Sequence, residues 1–477
     1  MKLSGKAKLS YALGAVGKDM VYMLSASYVL YYFQDLLGVS AIAMGVILMA
    51  ARVFDAFNDP IMGVIVAKTK TRWGKFRPWL LIGTLTNAVV LFLMFSAPPA
   101  MDAKGLVAYA AITYILWGVT YTMMDIPYWS MIPAFTEGGR ERENLTTLAR
   151  TSAGVGSAII TIATMAVVPM LGKMFGGLEG NAGQIVGFKW FSLIVAVLFI
   201  LFTVLTCLNV KEKSTTEMKT VSVGQMFKAL VQNDQAMTVT ITIVLINTAI
   251  YITSNLVIYF FKYDFGGTGW NNAYVLFNMF GGAIQVLSMM AFYPLLRKKY
   301  SSLQIFYICL GMAIVGYAVL LALAFINMSS VFLLFIPAFC IFAANGMLTV
   351  ITTVFLANTV DYGELKNGRR DESVIFSMQT FVVKLASGVA ALAASICLSL
   401  NHLQSGTDVS AQDAVTDFSA GVSLAQKSGL RMTMTIIPII GLFVALFWFR
   451  RRFLLNDAKV EEISRELAAK RADQIEE

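Results

Sequence analysis

The residues of this chain able to do chemistry are ionisable side chains set inside long apolar runs. In the second run, Asp55 and Asp59 lie four apart and Asn58 lies three from Asp55. That spacing places all three on one helical face. Two carboxylates and an amide oxygen make an oxygen-rich stripe suited to a hard cation such as Na⁺. Two close carboxylates can alternatively share a proton, because both do not easily ionise together. Either chemistry calls for a monovalent positive charge. A plainer reading pairs the carboxylates with Arg52, but one guanidinium cannot neutralise two of them.

In the fourth run, Asp125 is three from Thr122 and four from both Tyr121 and Trp129. A carboxylate, a hydroxyl, a phenol and an indole then share a face. Such a face suits a sugar, whose hydroxyls donate to a carboxylate and whose C–H side lies on aromatic rings. Aromatic residues at helical spacing are more often packing, yet Pro127 beside this carboxylate also frees a backbone carbonyl. Lys18 and Asp19 are adjacent in the first run, Arg150 stands in the fifth, and Gln379, Thr380 and Lys384 in the eleventh. A charge at the bilayer centre costs about 2.5–3.5 kcal/mol. These groups are therefore expected to face a cavity or to pair, and for Arg150 and Lys384 simple salt bridging is the alternative.

The elements that hold these side chains follow from composition. The chain has 477 residues, of which 57% are hydrophobic and 14% charged, and its mean hydropathy is +0.70. Soluble domains carry about a quarter charged residues. The apolar excess is cut into runs of the roughly 20 residues that cross a bilayer core. We expect twelve helices, at roughly 11–36, 41–68, 78–97, 105–136, 146–171, 186–208, 235–262, 272–294, 302–325, 330–360, 373–400 and 428–450. The domains expected are a six-helix bundle at 1–209, a middle loop at 210–234, a second six-helix bundle at 235–452 and a tail at 453–477. Two such halves around a midplane cavity are the major facilitator arrangement.

Basic residues cluster in alternate loops: Lys2, Lys6 and Lys8; the turn Arg72–Arg77; Arg140 and Arg142; Lys211–Lys219; Arg297–Lys299; Lys366–Arg370; and Arg450–Arg452. Lys262 and Arg431 are among the few scattered between them. This alternation places both termini in the cytoplasm of a bacterial inner membrane and explains the net charge of +9 without nucleic acid. The first helix carries Lys18 and Asp19 and lacks a small-residue cleavage site, so it reads as a retained span. Opposed charges at Arg77, Arg142, Asp361 and Arg370 suit a gate between rocking halves. Cys207, Cys309, Cys340 and Cys397 lack metal-ligand spacing, and His402 stands alone. No catalytic constellation or cofactor loop is expected, so the chain does not read as an enzyme.

Several strings carry a family resemblance: Tyr11–Asp19 (YALGAVGKD), Arg52–Gly63 (RVFDAFNDPIMG), Arg72–Gly83 (RWGKFRPWLLIG), Ile115–Trp129 (ILWGVTYTMMDIPYW) and Asn358–Glu364 (NTVDYGE). They resemble the glycoside–pentoside–hexuronide:cation symporters of the major facilitator superfamily, strongly from residue 9 to about 135 and more patchily through 400. The resemblance implies an all-α membrane protein with twelve transmembrane helices in two six-helix bundles. The partners expected are a small sugar, a monovalent cation and the lipid bilayer, with the protein a monomer. It implies a cation site at Asp55, Asn58, Asp59, Thr122 and Asp125, for Na⁺ with Li⁺ and H⁺ as competitors. It implies a sugar site at Lys18, Asp19, Tyr121, Asp125, Trp129, Arg150, Gln379, Thr380 and Lys384. The Lys18–Asp19 pair is typical of members that carry galactosides, which points to melibiose and its relatives. Another glycoside such as a glucuronide, or a lysolipid, is the alternative cargo. The chain departs from the galactoside pattern at Thr349, where a tryptophan is expected, and at Asn358, where an aspartate is expected. The first makes one pocket wall smaller and more polar. The second weakens one gate contact.

Overall fold

The computed structural model describes residues 4–98, 101–136, 139–210, 228, 230–326, 328, 330–368, 370–403 and 417–476. Among them no strand occurs. The long α-helices are α1 (Gly5–Leu30), α2 (Ala41–Lys68), α3 (Arg77–Met94), α4 (Ala103–Phe135), α5 (Gly139–Gly176), α6 (Gly180–Asn209), α7 (Asp234–Phe260), α8 (Trp270–Leu287), α9 (Ser302–Ile326), α10 (Val331–Asn367), α11 (Glu372–Leu400), α12 (Leu424–Arg452) and α13 (Asp457–Glu476). Among the described residues nine helices are long and apolar enough to cross a membrane, and a bent α5 makes a tenth. Most of the expected middle loop lies outside the described residues, as does the side chain of Arg52.

Local chemistry sets several helix ends. Ser4 caps α1 by accepting from the Ala7 amide, Ser40 does the same for α2 through Ala43, and Asp102 for α4 through Gly105. Each satisfies an amide that the first turn leaves unpaired. α12 opens on a capping box between Ser423 and Gln426. α5 bends by 56° between Thr164 and Ala166. Pro169 explains the bend, because its ring clashes with the carbonyl four residues earlier.

The chain divides into two compact units. One holds residues 1–233, 357–381 and 460–477; the other holds 234–356 and 382–459. In the first unit α1 packs on α5 and α6, α3 on α4 and α6, and α2 on α4. Gly156 lets α5 approach α1 closely, since a Cβ there would overlap the Val16 carbonyl oxygen. Tyr32, Phe95 and Phe188 form a ring cluster with centroids 5.1–5.7 Å apart. In the second unit α12 packs on α7 and α9. Phe306 of α9, Phe355 of α10 and Phe449 of α12 pack their rings together there. Outward from these cores, Phe57, Ile162, Ile326 and Phe332 are 67–81% exposed. Such apolar surface is what lipid, as solvent, covers.

Candidate binding site

Two tyrosines fix α1 against α4. The Tyr11 hydroxyl donates to the Tyr128 carbonyl at 2.5 Å, and the Tyr128 hydroxyl donates back to the Tyr11 carbonyl at 2.7 Å. Their rings stack 4.4 Å apart and nearly parallel. Two helical turns beyond Tyr11 stands Lys18, and one turn before Tyr128 stands Asp125. The clamp thus brings these charges into contact.

Lys18 Nζ lies 2.8 Å from Asp125 Oδ1 and 3.1 Å from Asp19 Oδ2. It also donates to the Tyr121 hydroxyl at 3.0 Å. The lysine side chain is 5% exposed, against 14% for Asp125 and 18% for Asp19. The ammonium is therefore enclosed while the carboxylates remain reachable. Trp129 Nε1 donates to Asp125 Oδ1 at 3.1 Å, and the Arg150 guanidinium lies over the Trp129 ring at 3.7 Å. A flat aromatic face, a carboxylate edge and two cations therefore share one locus.

The second carboxylate group lies on the neighbouring face of α4. Thr122 donates to Asp59 Oδ1 at 3.0 Å, with Asp59 fully buried. Gly118, one turn earlier, makes room for Asp55: a Cβ there would fall 2.6 Å from Asp55 Oδ1. Asn58 is half-buried, and its amide nitrogen has no hydrogen-bond partner among the described residues. The structure thus brings Asp59 to Thr122 and Asp55 to Gly118, while Asp125 turns to Lys18. Among the described residues no three acidic, histidine or cysteine side chains converge as a metal cluster. In α11, Gln379 and Thr380 belong to the first unit, and the Thr380 hydroxyl bonds its own helix at Phe376. Lys384 belongs to the second unit, as does Thr349, whose hydroxyl returns to the Asn345 carbonyl.

The residues expected to gate are mostly joined. Arg142, fully buried, pairs with Asp361 at 2.7 Å and donates to Asn358 Oδ1 at 3.2 Å and to the Ala357 carbonyl at 3.1 Å. Asn358 therefore still accepts from the arginine, without a charge. Arg370 contacts Asp361 at 2.8 Å, Glu364 and Glu372 each at 2.5 Å, and the Pro133 carbonyl. Burial pulls the Arg370 pKa down, but Glu372, Asp361 and Glu364 together hold it above its ordinary value, so the guanidinium stays charged. Lys75 completes the network at Glu372, 2.8 Å away. Arg77 instead donates to the carbonyls of Trp73 and Cys207. The basic turn contributes its lysine where the sequence pointed to its arginine. A further pair passed unnoticed among scattered charges: Arg431 grips Asp264 through two bonds of 2.7 Å, with both side chains buried. The signal available was an arginine placed near the start of an apolar run.

The sequence matches the family model described as MFS/sugar transport protein over residues 10–457. The raffinose carrier protein of Pediococcus pentosaceus is 26% identical, across 96% of this chain and 71% of that one. The isoprimeverose transporter of Lactiplantibacillus pentosus is 28% identical, across 85% of this chain and 83% of that one. Among solved structures, the E. coli fucose:proton symporter superposes with a TM-score of 0.66 at 12% identity, covering 94% of this chain and 98% of that one. That likeness speaks to the fold. The chain is a multi-pass membrane transporter with the major facilitator fold, not an enzyme, and it belongs to the MFS/sugar transport family of glycoside–pentoside–hexuronide:cation symporters.

Proposed function

We propose that this symporter couples uptake of a galactoside such as melibiose to Na⁺, with Li⁺ or H⁺ as competitors, by alternating access. One observation carries the reading: within one turn of α4, Asp125 meets Lys18, and Thr122 meets Asp59. Sugar hydroxyls would exchange for part of the Lys18–Asp19–Asp125 network and stack on Trp129. Arg150 and the α11 residues Gln379, Thr380 and Lys384 would complete the sugar contacts. Na⁺ would draw Asp55, Asn58, Asp59 and Thr122 together, with Asp125 as the link between cation and sugar. Their affinities would then rise reciprocally by one factor. A membrane potential adds about 2.3 kcal/mol per charge per 100 mV, enough to concentrate the sugar roughly fifty-fold. The Arg142–Asp361–Arg370 network would close the cytoplasmic end, with both termini on that side and the protein a monomer in the inner membrane.

Raffinose, named for one relative, ends in a galactosyl unit, which supports the galactoside reading. The isoprimeverose relative and the threonine at Thr349 favour a second reading, another glycoside in the same pocket. Counterflow in vesicles with a sugar panel, at varied Na⁺, Li⁺ and pH, tests both. Galactosides should exchange fastest with Na⁺ present. Exchange of pentosides or glucuronides alone would select the second reading, and exchange without any cation would overturn coupling.

A further inference from the structure

We propose that Tyr22, Trp117 and Tyr121 form a second sugar subsite, which takes the ring joined to the unit held at Lys18 and Asp125. The favoured cargo is then a glycoside of two or more rings. This rests on the reading of Lys18, Asp19 and Asp125 as sugar contacts.

Tyr22 is three residues past Asp19 and four past Lys18, so it continues their face of α1. Its ring centroid lies 5.5 Å from Tyr121 and 6.2 Å from Trp117. Trp117 stacks on Tyr121 at 5.2 Å, and Tyr114 stacks on Trp117 at 5.9 Å. On α4 the residues 114, 117, 121 and 125 follow at helical spacing, so the aromatic stripe leads straight into Asp125. It runs from Asp125 toward the end of α4 opposite Thr136, where Arg142 is bound. A sugar coming from that end would meet the rings first and the charges second.

Exposure grades along the same path. Asp125 and Asp19 are 14% and 18% exposed, and Tyr22 is 46% exposed. Tyr22 thus offers the open ring, while Trp117, at 5%, backs it. The Trp117 indole N–H has no hydrogen-bond partner among the described residues. A buried indole usually finds one, and leaving it orphaned costs about 1–3 kcal/mol. The tryptophan is therefore placed for its ring, not for a structural hydrogen bond. Tyr121 belongs to both subsites: its hydroxyl binds Lys18, and its ring carries Tyr22 and Trp117. The two subsites abut, as two glycosidically joined rings require.

The test is calorimetric binding to the purified protein of methyl glycosides of galactose, glucose and xylose and of the corresponding disaccharides. The wild type should bind its preferred disaccharide about tenfold tighter than the matching methyl glycoside, the worth of one stacked ring. Tyr22→Ala should erase that margin and leave methyl glycoside affinity unchanged, while Tyr22→Phe should keep it. Asp19→Ala should remove both affinities. An equal loss on all sugars in Tyr22→Ala, or an undiminished margin, overturns the subsite alone. Sugar binding that survives Asp19→Ala intact overturns the reading beneath it.

Discussion

Lys18 Nζ stands 2.8 Å from Asp125 Oδ1, a contact that spans 107 residues of sequence and sits inside a membrane protein. The same ammonium also touches Asp19, so one cation serves two carboxylates that stay partly exposed. Asp125 is three residues from Thr122, whose hydroxyl is given to Asp59. A small turn of α4 therefore moves both contacts at once. This is the physical element on which coupling between two ligands can rest.

Removing Lys18 leaves Asp19 and Asp125, both largely buried, without their shared cation. Breaking one side of a buried pair costs about 3–5 kcal/mol. Lys18→Met should lower the melting temperature and abolish sugar uptake. Lys18→Met with Asp125→Asn should recover most of the melting temperature and still take up no sugar. Melting curves in detergent and vesicle uptake check the two halves separately. Uptake restored in the double variant would show the pair to be structural only.

Thr122 holds Asp59 by a hydrogen bond to a charged group, worth about 1.5–3 kcal/mol. Thr122→Ala should raise the Na⁺ concentration for half-maximal stimulation about tenfold or more. Sugar affinity at saturating Na⁺ should stay within about twofold, and Thr122→Ser should behave as wild type. Asp59→Cys should lose Na⁺ stimulation altogether while keeping some sugar binding. A Na⁺ titration of uptake decides each case, and normal stimulation in Asp59→Cys would remove the residue from the cation site.

A methyl group at Gly118 would fall 2.6 Å from Asp55 Oδ1, well inside normal contact. Gly118→Ala should therefore push the carboxylate aside while improving helix propensity by about 1 kcal/mol. The expected result is a protein as thermally stable as wild type whose Na⁺ dependence is weakened. Stimulation by Na⁺ that is unchanged in this variant would show that Asp55 sits away from the cation.

Much of this was legible in the sequence because membranes make charge expensive. Asp19, Asp55, Asp59, Asp125, Lys18 and Arg150 stood out simply by lying in apolar runs, and the i, i+3 and i, i+4 rules sorted them onto faces. Which face met which neighbour was not legible. The Lys18–Asp125 contact depends on the Tyr11–Tyr128 clamp, formed by hydroxyls reaching carbonyls across helices. No periodicity encodes such a register. Lys75 in place of Arg77 is a matter of side-chain reach from one loop, and the Asp264–Arg431 pair is a long-range contact between runs that look unrelated. Spacing along one helix is local information, whereas pairing between helices is not.

Arg142 and Asp361 supply the test of the gate. Arg142 is fully buried and contacts Asp361, Asn358, the Ala357 carbonyl and both oxygens of Thr136. Replacing it leaves Asp361 still paired to Arg370, so the network should weaken without collapsing. Arg142→Ala should then slow uptake at least tenfold and raise the rate at which a cysteine placed at Asn358 is modified by a charged thiol reagent. Arg77→Ala, which removes contacts to the Trp73 and Cys207 carbonyls, should leave that labelling rate unchanged. Exchanging the charges, Arg142→Asp with Asp361→Arg, should restore part of the uptake lost in Arg142→Ala. Labelling that is identical in Arg142→Ala and wild type would show the network to be static packing at the end of α10, and the gate would have to be sought elsewhere.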